Sequence, residues 1–136
     1  MKRIFLILAV IITGLVSAGC FKTSVSLEEE FTLSPGRGAV IREEHFEITF
    51  LEVTEDSRCP KDVTCVWEGR ATSLVRLVSY DKDLKVELSE PGLTDQGNGL
   101  VFLDYLINFH LLPYPEDGVE TGKGDYRLRL TISRLK

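Results

Sequence analysis

The chain has only two histidines, one methionine and one tryptophan in 136 residues, and its 16 basic side chains are outnumbered by 21 acidic ones. Each shortage closes a class of function. Affinity for nucleic acid comes largely from Lys and Arg on phosphate, and the sequence has no basic cluster, so no nucleic-acid partner is expected. Zinc would need His45 and His110 to join a pair of cysteines as nitrogen donors. A Ser-His-Asp set lacks its G-x-S-x-G elbow, and neither a Gly-rich phosphate loop nor a calcium loop is present. Carboxylates stand side by side at 28–30, 43–44 and 55–56, but strand neighbours face opposite ways, and spacing alone does not bring two into one cleft. No metal, cofactor or catalytic residue is therefore expected. His45 and His110 read as surface histidines or ones satisfied within a core.

Long apolar runs are as scarce as histidine. The clearest lies at the start, where Lys2 and Arg3 precede an uncharged stretch over 4–16 and the small residues Ser17, Ala18 and Gly19 lead into Cys20. Charge, apolar stretch and small residues in that order form an export signal. The stretch is too short to span ~30 Å of hydrocarbon as a lasting helix. With its cysteine, the segment resembles the lipobox of bacterial lipoproteins, although Ser17 stands where that family usually has Leu. The resemblance implies removal of 1–19 and diacylation of Cys20, with the new amine often acylated as well. Two or more chains hold a membrane firmly where one holds it marginally. Phe21 lacks the retention Asp that keeps lipoproteins at the inner membrane in many enteric bacteria. That favours the outer membrane in a Gram-negative host, and the outer face of the cell membrane otherwise. Ordinary secretion is the rival, since Val16-Ser17-Ala18 also suits a general signal peptidase and would release a soluble protein.

Loss of 1–19 removes Lys2 and Arg3 and no acid, which leaves 14 basic against 21 acidic residues and a formal charge of −7. Such a surface is not drawn to anionic lipid, so the membrane is expected as a partner only through lipid at Cys20. Three cysteines in an exported protein leave one odd thiol. If Cys20 carries lipid, Cys59 and Cys65 remain as a pair in an oxidising compartment. Pro60 and Asp62 are good turn formers that let the two approach. A disulfide over so short a loop stabilises by about 2 kcal/mol. A C-x-x-C redox motif has fewer intervening residues.

The remainder reads as strand. Apolar and polar residues alternate through 126–133 and 84–89. Within 45–53 the apolar set Phe46, Ile48, Phe50 slips to Leu51 and Val53, as a β-bulge would produce. The stretch 100–112 has partial helical spacing, but aromatic and β-branched residues favour strand. Turns at 80–83, 91–99 and 115–124 separate the runs. The expected architecture is all-β: an antiparallel sandwich of about seven strands, immunoglobulin-like in general architecture. It occupies 38–136 as a single domain, with 20–37 as a lipid-anchored tether and the start of the first strand.

One internal segment is distinctive. Asp56-Ser57-Arg58-Cys59-Pro60, then Cys65, Trp67, Gly69 and Ala71, resemble a group of small bacterial lipoproteins and exported proteins that carry DSRCP, a second cysteine and W-x-G-x-A. The resemblance implies an exported address and a fold, and brings no activity with it. Read physically, Cys65 and Trp67 are two apart and would share one face of a strand. An indole buried beside the disulfide would be worth ~3–5 kcal/mol on truncation. Gly69 would supply a bulge or a close backbone approach, and Asp56 and Arg58 would pair locally to hold the loop or else recognise a ligand, with the structural use favoured. The expected protein is a non-enzymatic envelope module that binds an envelope protein, glycan or small ligand, or serves structurally. The alternative is a protease inhibitor that presents the 59–65 loop with Lys61 at its tip.

Overall fold

The computed structural model describes residues 21–93 and 98–136; the signal segment and Cys20 lie outside the described residues. The alternating runs form nine strands, and the described residues contain no helix. They are β1 (Lys22–Val25), β2 (Glu30–Leu33), β3 (Gly38–Ile41), β4 (Phe46–Asp56), β5 (Arg70–Ser79), β6 (Lys82–Pro91), β7 (Asn98–Phe102), β8 (Tyr105–Leu112) and β9 (Arg127–Arg134). One sheet has the order β1-β3-β4-β5-β6 and the other β2-β9-β8-β7.

Period-2 alternation turns one face of each strand inward. Phe46, Ile48 and Phe50 of β4 and Val75 and Leu77 of β5 meet Ile107 and Leu111 of β8 and Leu128, Leu130 and Ile132 of β9 in one buried cluster. Phe46 stacks on Tyr105 of the opposite sheet with ring centroids 4.8 Å apart. The all-β sandwich is thus the architecture. The phase slip in β4 is real, with register shifts between Phe50 and Glu52 and between Val53 and Glu55. The ambiguous 100–112 stretch is strand, in the β7–β8 hairpin.

Three expectations need correction. Among the described residues there are nine strands rather than about seven. The sandwich is not wholly antiparallel, because β1 pairs parallel with β3, Lys22 opposite Gly38. Residues 21–37 are not a tether, since β1 joins one sheet and β2 pairs with β9 in the other. Both are four-residue edge strands, each with a single buried side chain, Val25 and Leu33. So short a stretch gives no alternation to read.

The register decides what gathers at each end. β3 accompanies β4 only from Phe46 to Thr49, whereas β5 follows β4 to Asp56, opposite Ala71. β6 follows β5 as far as Pro91, opposite Arg70. The 57–69 connection therefore projects from one end of the sandwich, where the C-terminal end of β8 and the start of β9 also arrive.

Candidate functional site

The base of this connection continues the sheet. Ser57 N–H donates to Arg70 O at 2.8 Å and Cys59 N–H to Glu68 O at 2.9 Å. Gly69 has φ 68°, and a Cβ there would lie 1.7 Å from Ser57 O. The close approach expected of Gly69 is present, and it requires glycine. Cys59 and Cys65 are disulfide-bonded with Cα atoms 6.0 Å apart. Cys59 is buried and Cys65 is exposed.

Beneath the disulfide lies Arg58, whose side chain is 0% exposed. Its Nε and Nη2 donate to the two oxygens of Asp56, each at 2.8 Å. Nη1 donates to Glu90 Oε1 at 3.2 Å and to Leu111 O at 2.9 Å. Nη2 also donates to Pro113 O at 3.0 Å. All five guanidinium N–H groups thus have acceptors, and the Tyr114 ring lies 5.1 Å from Cζ. Burial works against the charge, but Asp56, aided by Glu90, more than offsets it and raises the Arg58 pKa above its ordinary value.

Glu90 completes the brace. Its carboxylate accepts Leu111 N–H at 3.1 and 3.2 Å and lies 3.3 Å from His110 Nδ1. Among the described residues, the last residue of β8 paired with β7 is Phe109, opposite Asn98. Backbone groups two residues apart on a strand point to the same side. Leu111 therefore turns its N–H and C=O to the edge past the end of β7, where Glu90 and Arg58 take one each. A side-chain ion pair stands in for a strand. Burial pushes the Glu90 pKa up, against the pull of Leu111 N–H, His110 and Arg58. Tyr114 OH donates to Cys59 O at 2.8 Å and accepts from Leu93 N–H at 3.0 Å, while Tyr126 OH donates to Asp56 at 3.2 Å.

Asp56 and Arg58 pair as expected from sequence, and Pro60 is half-buried beside them. Trp67 does not pack as expected. It is 73% exposed, and Val66 is 94% exposed. The reason is local: residues 62–69 are not strand, pairing resumes at Arg70, and a two-residue spacing gives no common face outside a strand. The core position beside the disulfide belongs to Arg58 and Tyr114. Lys61 is not a free tip, because its N–H donates to Pro115 O at 3.0 Å and its ammonium lies 3.7 Å from Glu116.

Glu90, His110, Tyr114 and Tyr126 have no sequence signal beyond one hint: Glu90 takes an inward position two after Leu88. Among the described residues, no group of three or more His, Cys, Asp or Glu side chains is placed to hold a metal ion. Asp56 and Glu90 are both bound to Arg58. The arrangement fixes a loop in place and displays Val63, Val66 and Trp67 from it. Comparison with protein-family models, curated proteins and solved structures gives no match.

Proposed function

We propose that this chain is an exported bacterial lipoprotein, held to a membrane by lipid on Cys20, and that it serves as a non-catalytic contact module of the cell envelope. Its membership of the DSRCP-bearing group of small lipoproteins belongs to the same reading. One observation carries the contact role: Val66 and Trp67 are exposed at the end of a loop whose base is closed by a disulfide and a fully bonded Arg58. Exposing an indole forgoes the gain of burial, while a rigid base lowers the ordering cost of binding. An aromatic side chain held this way suits a contact anchor.

The inhibitor reading draws less support, because the Lys61 backbone is occupied by Pro115 and cannot lie extended in a cleft without leaving it. Mass spectrometry of the mature chain should find residue 20 first and acylated. A photo-crosslinking residue at position 66 should capture an envelope component in intact cells, whereas the same residue at Arg42, at the other end of β3, should not. A mature chain that begins at Gly19, or equal capture from both positions, would overturn the reading.

A further inference from the structure

Of the eleven large apolar side chains exposed among the described residues, six, the only tryptophan of the chain among them, lie at one end, and it is the end at which the lipid would be attached. β1 runs parallel to β3, and β3 antiparallel to β4. Moving back along β1 from Lys22 toward Cys20 is therefore moving forward along β4 toward Asp56 and the disulfide loop. Only Phe21 separates Cys20 from β1, so the anchor can lie no more than about 7 Å beyond Lys22. Lys22 is level with Gly38, hence with Thr49 and Arg76. From that level to the Asp56–Ala71 pair the ladder advances about 17 Å in the same direction. Three strand spacings, about 14 Å, separate β1 from β5 across the sheet. With the anchor about 7 Å out, the remaining ~10 Å over ~14 Å across the sheet needs a tilt of about 35° to bring the acylated residue level with the loop base, and a steeper one to bring it level with the loop tip.

Phe21, Val63, Val66, Trp67, Leu93 and Val119 are all exposed at this end. Leu93 is tied to the loop base through the Tyr114 hydroxyl, which also holds Cys59. The opposite end exposes Tyr80, Leu84, Val101, Leu103 and Leu135, but no indole. We infer that the loop's partner is the bilayer interface itself: Trp67 and Val66 rest among the lipid headgroups next to the acylated Cys20 and fix the orientation of the sandwich on the membrane. This rests on the lipid-anchor reading above. An indole suits that boundary, because its apolar body and its N–H prefer opposite sides of it. Glu116 is paired with Lys61, and Asp62 and Glu68 add negative charge beside the loop, so no net positive charge draws it to anionic lipid and the contact is apolar and insensitive to salt.

Trp67 is the sole tryptophan, so its fluorescence reports on this contact alone. The full lipidated chain, purified from membranes, would be reconstituted into phosphatidylcholine vesicles with or without bromine on the acyl chains near the glycerol. Flotation reads the anchor, and quenching reads the loop. The expected result is co-flotation, a blue-shifted emission and at least a twofold loss of fluorescence in brominated vesicles, unchanged between low and high salt. Val66→Asp, at an exposed position, should still float but lose most of the quenching. Flotation without quenching overturns the interface contact and leaves the anchor intact, whether Trp67 is open to acrylamide or shielded by a second copy. Failure to float overturns the anchor reading, and this inference with it.

Discussion

Arg58→Met removes the one cation inside the brace and nearly preserves side-chain volume. Glu90 and Asp56 would be left with no compensating charge, and the carbonyls of Leu111 and Pro113 with no donor from the loop. Breaking a buried ion pair from one side costs ~3–5 kcal/mol. For a domain of this size, each kcal/mol moves the midpoint by about 4 °C or more, so Tm should fall by at least ~12 °C. Glu90→Gln alone also breaks the pair. The double variant has no stranded Glu90 charge and should lose distinctly less than the sum, a coupling of ~1–3 kcal/mol. Far-UV circular dichroism of the lipid-free domain during urea and thermal unfolding measures all four species, since Trp67 is too exposed to report the core. Additive losses, or an Arg58→Met midpoint within 2–3 °C of the parent, would refute the argument that Arg58 and Glu90 jointly complete the edge of β8.

The sequence's ranking of Trp67 and the disulfide is reversed by the structure. Trp67→Ala should change stability by less than ~0.5 kcal/mol, whereas Cys59→Ser with Cys65→Ser should cost about 2 kcal/mol; equilibrium urea unfolding compares them directly. The pH dependence should carry the mark of Glu90, whose folded pKa is raised above its ordinary 4.5 by burial. A raised pKa gives stability that is present below the unfolded value and lost as pH rises through the folded one. Relative to Glu90→Gln, which cannot titrate, the parent should therefore lose stability as pH rises just above the ordinary glutamate range. A difference that stays flat with pH in urea midpoints would contradict this.

Legibility followed the range of the interaction. β9, β6 and the bulged β4 were readable because their side chains alternate along one strand, and Gly69 because only glycine tolerates so close a backbone. The disulfide followed from counting thiols. β1 and β2 escaped because one buried residue in four makes no pattern. The spacing of Cys65 and Trp67 does not place Trp67, because residues two apart share a face only within a strand. The Arg58 brace joins residues 32 and 53 positions apart. No local rule brings these together; the order β5-β6 in one sheet and β9-β8-β7 in the other does.

The placement of β1 and β2 also has a mechanical side. The two strands next to the proposed anchor join different sheets, so a pull at Cys20 reaches both halves of the sandwich through one short segment. Tension along β1 acts parallel to its ladder with β3 and strains all of its hydrogen bonds together, instead of opening them singly from an end. The first 13 described residues, 21–33, thus act as a clasp. Cleavage just after β2 would part the body from the proposed anchor and free an edge strand of each sheet, baring β3 and β9 to pairing with another chain.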